Sequence, residues 1–320
     1  MTNRSNFIYF IKTIAVLMIL NSHMGNLYPT SILSVGGSLG NTLFFLVSGY
    51  LLSTKVNDSF CEWMKSRMYR IYPPLWVCTG ILFLVGNFKF TNFTDFAYRM
   101  LFPYYTYWFI AAIIIVYALV WFVNRRGKLL YWMITAIAIY IVWYVAFLDI
   151  SVWSIEGPYF FKYVFYFIVM LLGIILRRNI SINKLTTKYG WCVLTALSMV
   201  AYIVTRGMVA FVDSTIPYQF VVHIATILFG ICFFEAANCF EEEISCSKRV
   251  VNITKLIGNS TLEIYLLNYG IIEFAGGFGF PINILIAFIA AITLGIICNK
   301  LIGVITSKVI PVHFLRELKL

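Results

Sequence analysis

Charge is scarce in this chain: Asp, Glu, Lys and Arg make up 12% of its 320 residues, against about a quarter in an average soluble domain. No internal repeat, no low-complexity tract and no loop longer than about 25 residues interrupts it, so nothing reads as an appended water-soluble domain. No CxxC pair occurs among the seven cysteines (Cys61, Cys78, Cys192, Cys232, Cys239, Cys246, Cys298), and their spacing supports neither a metal site nor a disulfide framework. They are expected to serve as small membrane hydrophobes. Apolar residues make up 61% of the chain and aromatics 18%, with a mean hydropathy of +0.88. A fold of this size in water leaves much of its surface exposed and cannot hide that much apolar area. A soluble enzyme, a nucleic-acid-binding module and a disordered chain are therefore excluded, and lipid is the solvent that remains.

A bilayer-crossing helix needs roughly 20 mostly apolar residues. Ten runs qualify: 7–27, 34–53, 74–88, 107–124, 129–148, 160–176, 190–206, 219–238, 260–277 and 282–306. The first is interrupted by Lys12 and lacks a small-x-small cleavage site, so it reads as a retained span and not a signal peptide. The fold class expected is all-α: a polytopic membrane protein of about ten transmembrane helices forming one domain over 1–320. The net charge of +11 does not point to nucleic acid, because the basic residues sit in short clusters between spans. With the N-terminus inside, Lys89, Arg99, Lys162 and Arg206 lie outside and the other 20 of the 24 Lys and Arg lie inside. Among them are Lys65, Arg67 and Arg70; Arg125, Arg126 and Lys128; Arg177 and Arg178; Lys248 and Arg249. That asymmetry places both termini in the cytoplasm.

Ionisable groups at membrane depth are costly and default to functional candidates. Lys12 and His23 stand eleven positions apart in the first span, on one helix face and about 16 Å apart. The stretch NSHMGN (Asn21 to Asn26) makes the outer end polar, a setting for a wet cavity around the imidazole; equally, His23 marks a boundary and Lys12 snorkels. Ser48 and Gly49 allow close helix approach. Arg67 and Arg70, at i and i+3, form either a phosphate clamp or ordinary positive-inside charge, and Pro73-Pro74 is expected to stop their helix. Tyr104 to Leu119 opens the fourth span with an aromatic cluster at the outer interface. Asp149, Glu156 and Asp213 fall in outer loops, where they steer a substrate or are simply hydrated. His223 opens the eighth span, Glu263 and Asn268 lie in the ninth, and Glu241 to Glu243 reads as a solvated inner loop.

In this order the segments resemble the acyltransferase family 3 of bacterial integral membrane proteins. That family shows an Arg, ten residues, then a His in its first span, here Lys12 and His23. An FF-x-x-SG-[FY] run is matched by Phe44, Phe45, Ser48, Gly49 and Tyr50. RxxR followed by a hydrophobic-Tyr-Pro is matched by Arg67, Arg70, Tyr72 and Pro73, and YWF by Tyr107 to Phe109. A late S-L-x-I-Y-x-x-H run corresponds to Thr261, Leu262, Ile264, Tyr265 and Asn268. The resemblance runs from about residue 9 to about residue 300. Lys12 keeps the charge of the family's Arg without its planar fork, and Asn268, replacing a frequent His, is neither acid nor base.

The resemblance implies transfer of an acyl group, usually acetyl, from cytoplasmic acyl-CoA to a hydroxyl of an envelope glycan or its lipid-linked precursor, in the bacterial inner membrane. It implies acyl-CoA as donor substrate and no permanently bound cofactor or metal. His23 is the expected general base or acyl carrier; Arg67 and Arg70 would bind the CoA phosphates, and Lys12 a phosphate or a thioester-proximal oxygen. Ser48, Trp108, Tyr265 and Asn268 would line the cavity, with Asp149 and Glu156 on the acceptor side. Some family members carry a periplasmic esterase-like domain; this chain is expected either to hand its acyl group to a separate periplasmic partner or to acylate directly. An exporter of glycan units, or a non-catalytic component of a polysaccharide-synthesis complex, are the rival readings. The absence of paired broken helices argues against the exporter.

Overall fold

The structure, a computed structural model, describes residues 5–53, 59–87, 89–101, 107–157, 159–178 and 185–309. These form α1 (Asn6–His23), α2 (Gly37–Leu51), α3 (Phe60–Leu84), α4 (Phe93–Leu101), α5 (Trp108–Arg126), α6 (Leu129–Ala146), α7 (Tyr159–Arg178), α8 (Lys188–Phe211), α9 (Phe220–Cys239), α10 (Glu241–Cys246), α11 (Lys248–Asn259), α12 (Thr261–Ala275) and α13 (Ile282–Val309), joined by turns and 3-10 segments, with no strand among the described residues. Eight helices are long and apolar enough to cross a membrane: α1, α2, α5, α6, α7, α8, α9 and α13. Large apolar side chains stand bare along them, as at Leu130, Ile134, Ile141 and Val145 of α6, between 55% and 75% exposed. Such a surface is stable against hydrocarbon and not against water. The protein is a multi-pass all-α membrane protein.

Two expectations from the sequence need correction. Pro73-Pro74 does not end a helix: α3 runs unbroken for 25 residues from Ser59, whose side chain accepts from Glu62 N while Glu62 Oε2 accepts from Ser59 N. That reciprocal cap fixes the start. The prolines forfeit two backbone bonds of the helix, but the segment around them is held from the side, since Tyr72 Oη donates to Leu101 O at 2.9 Å and Trp76 Nε1 to Met100 O at 3.1 Å. Those carbonyls end α4, where a helix has no partners of its own. Neighbouring groups that satisfy the backbone are how lipid-embedded helices tolerate proline. Nor are Glu241 to Glu243 a loop; they open the short α10.

The chain divides into two compact units. The first comprises Met1–Gly40, Asp58–Ala111 and Glu243–Leu320; the second comprises Asn41–Asn57 and Ala112–Glu242.

Within the first unit the helix directions follow from side-chain pairs. Asn268 meets His23 and Gly258 packs on Tyr9, so α1 and the segment 258–268 run the same way. Asn87 Nδ2 donates to Glu273 Oε2 at 2.7 Å beyond the end of α3, while the free thiol of Cys78 is hydrogen-bonded to that of Cys298 and lies within electrostatic range of Glu263; α3 and α12 therefore also run together. α13 runs oppositely, with Asn283 Nδ2 on Leu27 O (2.9 Å) at one end and Asn299 Nδ2 on Glu263 Oε1 (2.9 Å) at the other. α1, α3 and α12 therefore share a direction and α13 opposes them. α4, which falls in what reads as an outer loop, turns back along α3. Phe90 stacks near Phe83 and Phe96, and Leu101 reaches Tyr72, about three turns before the end of α3.

In the second unit α2 and α7 lie backbone against backbone. A Cβ at Gly49 would fall inside the Met170 carbonyl, and one at Gly173 inside the Leu46 carbonyl, so glycine is required on both sides of the contact. The C-terminal end of α2 is closed by Asn124 Nδ2 donating to Leu52 O at 2.6 Å and Arg178 Nη2 to Ser53 O at 3.4 Å. The fully buried Gln219 orders the loop before α7: Oε1 accepts from Ser154 N and Ile155 N, and Nε2 donates to Val152 O. Substituting Gly49→Leu would force the two helices apart, at a cost beyond the roughly 1–3 kcal/mol typical of overpacking. We expect Gly49→Leu protein to lose its monodisperse peak in detergent size-exclusion chromatography, whereas Gly80→Ala, with open space around the added methyl, keeps it.

Candidate active site

The polar outer end of α1 is ordered by Asn21. Its Nδ2 donates to Leu33 O (3.0 Å) and Val35 O (2.9 Å), and its Oδ1 accepts from Tyr28 Oη (2.6 Å). The following segment thus folds back beside the last turn of α1, where His23 stands. Asn268 of α12, 1% exposed, places its Nδ2 at 2.7 Å from His23 Nδ1. The imidazole is stacked on Tyr269 (centroids 5.2 Å, 28°) and tilted against Tyr265 (6.1 Å). Tyr265 in turn packs on Phe109 (5.4 Å) and Tyr107 (6.2 Å). An imidazole with one nitrogen committed to an amide and its faces covered by rings is held in one orientation, the condition for proton transfer or nucleophilic attack at the other nitrogen.

Five residues earlier on α12, hence about 7.5 Å along its axis, lies Glu263, 2% exposed. Its Oε1 accepts from Asn299, its Oε2 has no hydrogen-bond partner among the described residues, and Lys12 and Arg70 both act on it electrostatically. The thiols of Cys78 and Cys298 are hydrogen-bonded to each other and feel the same carboxylate. A buried carboxylate is expensive unless cations or donors face it, and here three helices each supply one such group: Lys12 from α1, Arg70 from α3 and Asn299 from α13. Arg67, one turn before Arg70, is folded back along α3: its guanidinium lies 3.5 Å over the Trp63 ring and bonds Ser66 Oγ and Trp63 O. The interior of the first unit therefore has two polar levels, a cation and carboxylate level and an imidazole and amide level, joined along α12.

A family model described as an acyltransferase domain matches residues 5–305 of the chain. The protein belongs to acyltransferase family 3. No curated protein and no solved structure matches it.

For this membrane acyltransferase the residues expected from the sequence sort as follows. His23, Tyr265 and Asn268 come together, and Lys12 joins Arg70 through Glu263. Trp108 meets Phe109 edge to face at 6.1 Å, while the rings on Tyr265 are those of its neighbours Tyr107 and Phe109. Tyr104 to Thr106 of the aromatic cluster lie outside the described residues. Ser48, Asp149 and Glu156 belong to the second unit. Ser48 sits beside the Gly49 packing contact. Asp149 accepts from Ser151 Oγ (2.6 Å) and N (3.0 Å), bonds that hold its carboxyl below the usual carboxylate range. Glu156 is paired with Arg206 at 3.0 Å. His223 is stacked on Phe165 at 3.8 Å and hydrogen-bonded to Tyr140, so it is buried inside the second unit. Glu263 and Asn299 are the residues that sequence reasoning did not assign. A lone carboxylate inside an apolar run is the signal that marks the first, and nothing in the local sequence marks the second.

If Lys12 and Glu263 interact, their substitutions are not additive. Lys12→Met and Glu263→Gln should each lower the thermal midpoint in detergent. The double variant should lose less than the sum, by a coupling of about 0.5–3 kcal/mol. Strict additivity would show the two groups to be independent.

Proposed function

We propose that this protein moves an acyl group, in the first instance acetyl, from cytoplasmic acyl-CoA to a hydroxyl of a cell-surface glycan or its lipid-linked precursor, in the bacterial inner membrane. The observation that carries this reading is the placement of an oriented imidazole one level above a buried carboxylate faced by the cations Lys12 and Arg70, within one helix unit of an acyltransferase. Lys12, Arg67 and Arg70 receive the phosphates of the donor; the charge asymmetry of the sequence puts that level on the cytoplasmic side. Guanidiniums suit phosphate because they present paired donors to paired oxygens. When no donor is bound, the Glu263 carboxylate holds Lys12 and Arg70 in place. The pantetheine arm then extends towards His23, bringing the thioester within reach of the ring.

The chemistry at that point is ordinary acyl transfer. The acceptor oxygen attacks the thioester carbonyl carbon while His23 takes the hydroxyl proton. The C–S bond breaks, and the CoA thiolate collects that proton as it leaves, so an ester and free CoA result. In the two-step variant the imidazole nitrogen itself attacks, carries the acyl group and passes it to the hydroxyl; label from acetyl-CoA would then be trapped on the protein. No acid stronger than imidazolium is required, since a thiolate is a good leaving group. The acceptor is delivered directly or through a separate periplasmic acyltransferase partner.

His23→Ala, produced at normal levels, should abolish acetylation of the surface polysaccharide measured by mass spectrometry, a loss of at least about 10²-fold for removing a general base. Unchanged acetylation would remove His23 from the reaction. In purified protein, Arg70→Ala and Arg67→Ala should each weaken acetyl-CoA binding by about tenfold, the equivalent of one charge-assisted hydrogen bond; unchanged affinity would place the donor elsewhere.

A further inference from the structure

The Asn268 carboxamide is 1% exposed, and its Oδ1 has no hydrogen-bond partner among the described residues although its Nδ2 lies 2.7 Å from His23 Nδ1. In that orientation the amide donates, Nδ1 must be the unprotonated nitrogen, and the ring proton is on Nε2. Such a ring has no lone pair to offer a substrate: one nitrogen is used by Asn268 and the other carries hydrogen. A half-turn of the amide about Cβ–Cγ exchanges two nearly isosteric atoms. It brings Oδ1 to Nδ1, gives the orphaned acceptor a partner, and moves the ring proton to Nδ1. Nε2, on the side of the ring away from Asn268, then has its lone pair free. Stacking on Tyr269 and Tyr265 fixes the ring plane in both cases, so the amide alone selects the tautomer.

We propose that Asn268 is a positioning residue whose Oδ1 accepts a hydrogen bond from the Nδ1–H of His23 and thereby keeps Nε2 as the base or nucleophile. This rests on the acyl-transfer role of His23 proposed above. The arrangement follows the logic of the carboxylate that orients the histidine of a catalytic triad, with a neutral acceptor in its place. An amide holds the tautomer without adding a second buried charge about one and a half turns from Glu263. It also explains how the chain dispenses with the late histidine: the position needs a fixed acceptor, not a titrating group.

The experiment combines spectra and kinetics on the full-length protein in lipid bicelles. With ¹⁵N-histidine labelling only three residues report (His23, His223, His313), and the His23 signals are identified by their loss in His23→Gln. The expected result is a protonated Nδ1 and an unprotonated Nε2 in the wild type, with the proton shifting to Nε2 in Asn268→Leu. In membrane vesicles supplied with radiolabelled acetyl-CoA, Asn268→Leu should lower kcat for label transfer by about 10²-fold with KM for acetyl-CoA within about twofold. Asn268→Asp, which still accepts, should stay within about tenfold of wild type. A wild-type ring protonated at Nε2, or an Asn268→Leu enzyme with unchanged kcat, overturns the proposal. If Asn268→Leu does not fold, the wild-type spectrum and Asn268→Asp decide. The spectrum needs no turnover, so failure of label transfer in the wild type would count against the acyl-transfer reading alone.

Discussion

Polar groups buried in a lipid-embedded helix bundle must find partners inside the protein, because no water is at hand to solvate them. That constraint organises the interior of the first unit. Glu263, isolated in hydrocarbon, would cost several kcal/mol even on the mildest scales. It is tolerable because Asn299 bonds one oxygen while Lys12 and Arg70 supply positive charge. The same partners fix how α1, α3, α12 and α13 align, so the electrostatic requirement and the packing register are one solution. His23 and Asn268 obey the constraint a step further along: each satisfies the other, and aromatic rings fill the space around them.

From this the functional layout follows in order. Helices that share a direction carry their polar residues at matched heights. α1 contributes Lys12 low and His23 high; α12 contributes Glu263 low and Asn268 high. A charged level and an imidazole level are therefore set one above the other along α1 and α12, at the spacing that the proposed thioester arm would span. The second unit contributes differently. Its carboxylates Asp149 and Glu156 are bound to Ser151 and Arg206, and Gly49 and Gly173 serve close helix contact, so these groups hold structure together.

Much of this is legible in the sequence. The span α6 is written as an unbroken apolar run. Helical periodicity alone puts Lys12 and His23 on one face. What is not legible depends on partners distant in sequence. Pro73-Pro74 reads as a stop because local propensity says so, yet side chains of that segment dock on the carbonyls ending α4 and the helix continues. α4 and α11 are too short and too polar to announce themselves; α11 exists because Thr254, Ile257 and Gly258 bury against α1. Asn299 lies 36 residues from Glu263, and no local pattern pairs them. Asn268 is visible as a departure from the family pattern, but its bond to His23 is not.

The most direct test of the central claim is a structure of the protein bound to a non-hydrolysable acetyl-CoA analogue in a lipid nanodisc. The account predicts the analogue's phosphates among Lys12, Arg67 and Arg70, with its acyl carbonyl within hydrogen-bonding or attack distance of His23, about 3–3.5 Å. An analogue seated elsewhere, with its acyl group out of reach of that imidazole, would contradict it.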